Sequence, residues 1–515
     1  MSKDTRFGSD LIWLIGALLM LTLMVTARSL WIDEAQTATY AKLATFGDFI
    51  DKLARDNRTG SLSEGLMPLS MFLAWICGHA FGVSEWWMRV PNVIYLGAGF
   101  FFAWRVGVAL RLNYLVLLVA LHPFVWYYAD EARPYALQIA LGCALLWSGL
   151  EIIRNQADSR WGWLGFLSSS LALSGSSLLC IIPVSATGLS LLVPILRNRW
   201  RIPRHAWATM AVFLPLFLAL GAFYYHALHG SSGAKLWPFG ASNLVYAIYE
   251  GLGFQGLGPG RTGLREAARG SGALLHLFAS YVVPLAALAG VWLAVGVAGL
   301  RAMCVRGSSH VGWILSVLLI SLVGFVGVGV VMKFPFWGRH LSPLLPFVVT
   351  LAALCCREFQ RNAIARISVA LLALLWATSS ACIRLDARFD KDDYRGAADL
   401  AKQAVAAGER TWWCADTHGA NFYGLFPVFL DGNLDDGAPP ATGSGNGNGN
   451  GNGGQALCRV VSNASKVDLE AMPEPKWVFL SKPDIYDNAG AVLQLLKARG
   501  YVIKKTLTSF EVWTR

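Results

Sequence analysis

The sequence predicts an all-α polytopic membrane bundle followed by a small α/β domain, and three observations carry that prediction. Apolar runs of roughly twenty residues, the length that spans a bilayer core, recur from residue 10 to residue 383. Lys and Arg cluster in the short connections between alternate runs, the pattern that orients membrane helices. After residue 384 the long runs give way to short segments with helix and strand periodicity. Composition agrees: 55% of the 515 residues are hydrophobic and 15% charged, against about 25% charged in soluble domains, and the mean hydropathy is +0.47. An ordinary soluble enzyme and a disordered chain are both excluded. The formal charge of +11 follows from the basic connections and implies membrane lipids, not nucleic acid, as the contact.

Taken in order, the first apolar run, Leu11 to Ala27, has no small-residue cleavage site and reads as an uncleaved signal-anchor. Spans are expected near 10–28, 88–109, 113–129, 134–153, 161–178, 180–196, 206–228, 273–300, 309–331, 341–356 and 365–383, about eleven transmembrane helices in all. The stretch 161–196 reads either as two crossings or as one span plus a re-entrant piece. Met67 to Val83 is apolar but short, with Pro68 and Glu85 at its ends, and reads as a juxtamembrane or re-entrant helix. With Lys3 and Arg6 on the cytoplasmic side, Arg105 and Arg111, Arg154 and Arg160, Arg197 to Arg204, Arg301 and Arg306, and Arg357 to Arg366 all fall on that same side. The C-terminal part is then external.

Residues 1–383 form the expected membrane domain and 384–515 an extracytoplasmic α/β domain. In the latter, Asp393 to Ala407 reads as a helix with Asp392 or Asp393 as its N-cap. Thr411–Ala415 and Trp477–Leu480 read as buried strands, Ala491–Arg499 as a helix, and Val502–Trp513 as one or two strands. The Gly/Asn repeat at 443–454 reads as a flexible insert. Seven of the nine cysteines lie in or beside apolar runs; Cys414 and Cys458 can pair if this part is exported.

Chemistry-bearing residues collect in the external connections. Leu30-Trp31-Ile32-Asp33-Glu34-Ala35 sets two carboxylates at the end of the first span, where partial desolvation raises basicity. Trp126-Tyr127-Tyr128-Ala129-Asp130-Glu131-Ala132-Arg133-Pro134-Tyr135 sets a second acidic pair and an arginine between two spans. Ionisable groups at that depth pair with one another or line a cavity, and Arg133 with Asp130 or Glu131 is one such local pair. Lys333, Arg339 and His340 lie in a late external turn, against the charge bias of that side; a phosphate partner would account for them. The loop 229–272 adds Lys235, Arg261, Arg265 and Arg269 among glycines and reads as a mobile basic lid. Outside the cytoplasm, an activated sugar would have to arrive on a lipid phosphate. Its transfer needs a base for the acceptor hydroxyl and cations for the phosphate that leaves.

At these residues the chain resembles the membrane-embedded GT-C glycosyltransferases, in the branch of the protein O-mannosyltransferases and the bacterial lipid A aminoarabinose transferases. Leu30 to Ala35 resembles the first-loop Asp-Glu signature, Tyr128 to Tyr135 the second-loop segment, and Gly338-Arg339-His340-Leu341-Ser342-Pro343 the late turn. Asp393-Tyr394-Arg395-Gly396-Ala397-Ala398 resembles the helix that opens the external domain. The resemblance implies Asp33 as general base supported by Glu34. It implies a sugar and phosphate pocket shaped by Asp130, Glu131 and Arg133, with Arg339 on the donor phosphate. Lys333 and His340 join the pocket on charge and position. Glu64-Gly65-Leu66-Met67-Pro68-Leu69 stands where many members carry a His-Pro-Pro-Leu-Tyr-like segment and lacks the His.

The expectation is therefore an inverting glycosyltransferase of a bacterial inner membrane, with the N-terminus cytoplasmic and the C-terminal domain periplasmic. Its donor is a polyprenyl-phosphate-linked sugar and its acceptor a lipid, polysaccharide or protein. No cofactor is assigned, and metal use stays open, with Asp130 and Glu131 as candidate ligands of a divalent cation. The rival class is a transporter or lipid flippase with external gating loops. Nearly uncharged span interiors and the lack of internal repeats count against it.

Overall fold

The computed structural model describes residues 3–59, 62–229, 239–260, 263–264, 273–306, 309–334, 336–358, 363–429 and 457–515. The insert at 443–454 and the loop cations Lys235, Arg261, Arg265 and Arg269 lie outside the described residues. The chain forms two compact units. One comprises Met1–Thr26, Ala44–Ala80 and Trp86–Phe389, the other Ala27–Leu43, Phe81–Glu85 and Asp390–Arg515. The acidic pair Asp33–Glu34 thus belongs to the same unit as the C-terminal domain.

The first unit is helical. It opens with α1 (Lys3–Met24); after α2 (Ile32–Ala41), which belongs to the second unit, come α3 (Phe46–Thr59), α4 (Leu62–Gly65) and α5 (Pro68–Phe81). At 14 residues α5 is shorter than a span. α6 (Val90–Leu110) starts with a proline in its first turn, where no amide hydrogen is needed, and stops at Arg111 in left-handed conformation. Residues 113–129 are not the single span expected: α7 (Leu115–Leu121) and α8 (Pro123–Ala129) meet at His122, whose backbone is extended. Pro123 lacks an amide hydrogen and pushes the residue before it out of the helical region, so the helix breaks there. The His122 ring caps the new helix, accepting from the Phe124 amide at 3.2 Å.

α9 (Tyr135–Arg154) follows, and the stretch 161–196 forms two helices, α10 (Arg160–Ser176) and α11 (Ile181–Arg197). The remaining helices of this unit are α12 (Arg204–His229), α13 (Ala241–Gly251), α14 (Ala273–Ala279), α15 (Val282–Arg306), α16 (Ser309–Val331), α17 (Leu345–Glu358) and α18 (Ala363–Leu385). A 3-10 segment, Gly338–Leu344, leads directly into α17. Among the described residues seven helices are long and apolar enough to cross a membrane, with shorter apolar helices at Leu11–Met24, Pro68–Phe81 and Val282–Val297. This is an integral membrane protein.

Burial ranks the spans. Within their most apolar windows α9 is 78% buried and the stretch Gly338–Arg357 72%, whereas α12 is only 6% buried. The first two form the centre and α12 the rim. Gly142 permits the central contact, because a Cβ there would lie 2.3 Å from the Pro343 carbonyl oxygen.

The second unit is built on a five-stranded sheet of β1 (Thr411–Cys414), β2 (Cys458–Val460), β3 (Trp477–Ser481), β4 (Val502–Leu507) and β5 (Phe510–Thr514), in the order β2-β1-β3-β5-β4. The first three strands are parallel; β5 pairs antiparallel with both β3 and β4. The exposed edge strand β4 carries Lys504 and Lys505, charges that discourage edge-to-edge pairing. α19 (Tyr394–Ala406) packs Tyr394, Ala397, Ala398 and Ala401 on one face of the sheet. α21 (Lys466–Ala471) and α23 (Ala491–Ala498) pack Leu469, Val492, Leu495 and Leu496 on the other. Of the two expected caps, Asp393 is the one used, accepting from the Gly396 amide at 2.8 Å. Between β1 and β3 lies α20 (Thr417–Phe422), and α22 (Pro483–Tyr486) follows β3.

Cys414 and Cys458 do not pair; both are free and buried. Thr411 stands opposite Cys458 in the β1–β2 register, which puts Cys414 three residues further along and on the other face of the sheet. The two thiols accordingly belong to different apolar cores.

Candidate active site

In the first unit one set of ionisable side chains gathers where α1, α8 and α18 end and α6 begins. Asp130, 5% exposed, follows α8 and acts as a hub. The Thr26 amide donates to it at 2.6 Å and the Thr26 hydroxyl at 2.7 Å. Arg89 approaches to 4.0 Å and Arg384 to 3.5 Å. Each arginine also donates to a backbone carbonyl at the end of the first span, Arg89 to Thr26 and Arg384 to Val25, both at 3.0 Å. Three separate stretches of chain are thereby tied to one carboxylate. Glu131 is buried, and its carbonyl accepts from the Asn92 side chain at 2.6 Å.

Arg133 reaches beyond its sequence neighbours, although its own amide donates to the Glu131 carbonyl at 2.7 Å. Its guanidinium donates to Glu64 at 2.9 Å, and both side chains are almost fully buried. Proximity in sequence pointed to Asp130 or Glu131 and did not disclose Glu64, which the turn into α9 brings within reach of Arg133. The charge environment does not fit a divalent cation at Asp130 either: two guanidinium groups and two hydrogen-bond donors already face its oxygens. Among the described residues no group of three or more His, Cys, Asp or Glu side chains is placed to hold a metal ion.

The 3-10 segment supplies the third component. The Trp337 amide donates to His340 Nδ1 at 2.9 Å, so in the neutral ring Nε2 carries the proton and is the donor. His340 lies within the electrostatic reach of both Arg339 and Arg133. Beside them Glu250 of α13 is fully buried, 3.4 Å from the Tyr128 hydroxyl. Gly338 admits it, since a Cβ there would lie 2.1 Å from a Glu250 carboxylate oxygen. Lys333 is exposed in the turn after α16 with φ 51.

In the second unit, Asp33 and Glu34 occupy the first turn of α2, where the helix N-terminus favours negative charge. Glu34 is fully buried and engaged: Lys391 reaches it at 3.0 Å and the Trp31 amide donates to it at 3.3 Å. Asp33 is the more exposed of the two. The surrounding segment is fastened to the domain along its length. The Leu30 amide donates to the Tyr423 hydroxyl at 2.7 Å, the Arg395 amide to the Ser29 hydroxyl at 3.2 Å, and Arg28 pairs with Asp390 at 3.2 Å. Lys482 lies 5.9 Å from the Trp31 ring centre and pairs with Asp392. Burial raises the Tyr486 phenol well above its usual range, and the charges of Asp416, Asp392 and Asp33 add to that.

Sequence reasoning named Asp33, Glu34, Asp130, Glu131, Arg133, Lys333, Arg339 and His340. It missed Glu64, Arg89, Arg384 and Lys391 as their partners, and Glu250 as the partner of Tyr128. Glu250 left a trace, a lone carboxylate at the end of an apolar, tyrosine-bearing helix; Arg384 left none that distinguishes it from an ordinary span-end cation.

Fold and composition define the class: the chain has the GT-C fold of integral-membrane glycosyltransferases, as the motif resemblance implied. The solved structure that carries this statement is ArnT from Cupriavidus metallidurans in the apo state. It matches with a TM-score of 0.51 at 13% identity over 99% of this chain and 98% of that one. The same protein bound to undecaprenyl phosphate matches at 0.49 and 13% identity, over 98% of each chain. The arabinofuranosyltransferase AftD from Mycobacteria matches at 0.47 and 15% identity, over all of this chain and 40% of that one. No family model matches the sequence, and no curated protein matches it significantly.

Proposed function

We propose that the protein transfers a sugar from a polyprenyl-phosphate carrier to an acceptor hydroxyl on the non-cytoplasmic face of the membrane. The feature that carries this reading is a set of donors at one end of the first unit, the Arg133 guanidinium in the turn before α9 and Arg339 with the Nε2–H of His340 in the 3-10 segment that packs on α9, on a GT-C fold. Guanidinium groups suit a phosphate through their planar set of donors. ArnT, the protein of similar fold, has been solved with undecaprenyl phosphate bound, and a lipid of that chemistry is the proposed carrier.

The reaction is a direct displacement with inversion. The acceptor oxygen forms a bond to the anomeric carbon as the bond from that carbon to the phosphate oxygen breaks. The acceptor proton passes to the Asp33 carboxylate, and the electron pair leaves on the polyprenyl phosphate. Asp33 is assigned as base over Glu34 because it is the more exposed of the two, whereas Glu34 is fully buried. Arg339 and Arg133, with His340, stabilise the charge that grows on the leaving phosphate. Asp130 and Glu131 shape the pocket wall, and the exposed Lys333 attracts the anionic headgroup from the periphery.

The test is incubation of the purified full-length protein with a panel of radiolabelled polyprenyl-phosphate sugars and candidate acceptors. Transfer from one donor, lost in Asp33→Asn with the fold intact, is the expected result. Lack of transfer from every donor, or near-normal turnover by Asp33→Asn, would contradict the reading.

A further inference from the structure

Among the groups that the proposed mechanism leaves without a task, Glu64 is the most closely engaged with the site. It lies in the four-residue helix α4, is 2% exposed, and meets Arg133 at 2.9 Å across 69 residues of sequence. The chain that follows it is anchored by one backbone and one side-chain hydrogen bond. The Leu66 carbonyl accepts from the Leu178 amide at 3.0 Å and the Ser70 hydroxyl donates to the Ser176 carbonyl at 3.1 Å. Glu64 is therefore a fixed carboxylate on a fixed turn, not a counter-ion carried by a swinging loop.

We infer that Glu64 is the positioning residue for Arg133, holding its guanidinium in the orientation that receives the phosphate of a polyprenyl lipid. The inference rests on the proposed reading of Arg133 as an anion-binding group. Its physical basis is that a buried ion pair contributes little net stability over a well-packed apolar pair of the same volume. What such a pair does provide is direction. A guanidinium is planar and permanently charged, so a carboxylate on one terminal nitrogen fixes the plane and with it where the remaining N–H groups point. Positioning of this kind, a charged group oriented by a hydrogen-bonded partner behind it, governs how well a site recognises its ligand. The carboxylate also offsets the charge of Arg133, one of the two guanidinium groups whose fields reach His340. Glu64 falls where the resembling family carries a different segment, so this brace is a property of this chain's own residues.

The experiment measures binding of undecaprenyl phosphate to the full-length protein in detergent, alongside thermal unfolding, for wild type, Glu64→Gln, Glu64→Asp, Arg133→Gln and the double variant Glu64→Gln/Arg133→Gln. Glu64→Gln is expected to weaken binding about tenfold and Glu64→Asp to recover part of that loss, since the charge returns on a shorter arm. The double variant should bind no more weakly than Arg133→Gln alone, because Glu64 acts through that arginine. Its melting temperature should lie above that of Arg133→Gln, because no buried carboxylate is then deprived of its cation. Binding unchanged in Glu64→Gln with only the melting temperature lowered, or losses that simply add in the double variant, would overturn the role of Glu64. Failure of the wild type to bind undecaprenyl phosphate would overturn the reading of the site itself, and this inference with it.

Discussion

Asp33 and Asp130 both open as one half of an Asp-Glu pair, yet the structure gives them different surroundings, and the difference is measurable. Asp130 faces Arg89, Arg384 and the Thr26 amide and hydroxyl inside the first unit. Removing the charge of a buried carboxylate that two guanidinium groups face destabilises by about 3–5 kcal/mol. Asp130→Asn should therefore lower the melting temperature strongly. Asp33→Asn, at a more exposed position in the first turn of α2, should leave the melting temperature near wild type while transfer is lost. Gly338 supplies a second contrast at this scale. A Cβ there would meet the Glu250 carboxylate, and overpacking of this kind costs about 1–3 kcal/mol. Gly338→Ala should be destabilised by that amount in thermal or chemical unfolding, whereas Ala substitution at Gly290, which has open space around it, should be tolerated.

At the scale of elements, the long apolar helices and the strands of the C-terminal domain were legible because each follows from local periodicity. Asp393 to Ala407 exceeds α19 by one residue at each end, and Trp477 to Leu480 is one residue short of β3. The break at His122–Pro123 was equally local, but the apolar run concealed it: hydropathy registers length and not the missing amide hydrogen of Pro123. Partners were not legible. Glu34 meets Lys391 across 357 residues and Arg133 meets Glu64 across 69; neither spacing is written in any period. The assignment of α2 to the α/β unit rests on such contacts. Lys391→Met, which removes the ammonium from a fully buried carboxylate, should speed hydrogen exchange of the α2 amides 32–41 while those of β1 and β3 keep their protection. The sheet makes a further prediction. Burial pushes the Cys458 thiol up to about 12, so almost no thiolate exists at neutral pH. Cys414 is also raised by burial. Both should resist iodoacetamide at pH 8 until denaturant is added, and no disulfide between them should appear on non-reducing gels.

For the whole molecule, the bundle with a small α/β unit was expected from composition, the spacing of apolar runs and the placement of basic residues. The GT-C fold followed from four short motifs in the right order. The division of the chain into units could not be read in the same way, because the acidic pair beside the first span folds with residues more than 350 positions later. Function at this scale turns on one claim, that a lipid-borne sugar phosphate is the donor and Asp33 takes the acceptor's proton. The most direct measurement is sugar transfer from a panel of polyprenyl-phosphate donors by wild type and by Asp33→Asn at matched, folded concentrations. Transfer by the wild type, with a fall of at least 100-fold in Asp33→Asn, the size of a general-base contribution, is the outcome that upholds it. Equal rates for the two proteins, or activity only with a water-soluble nucleotide sugar, would contradict it.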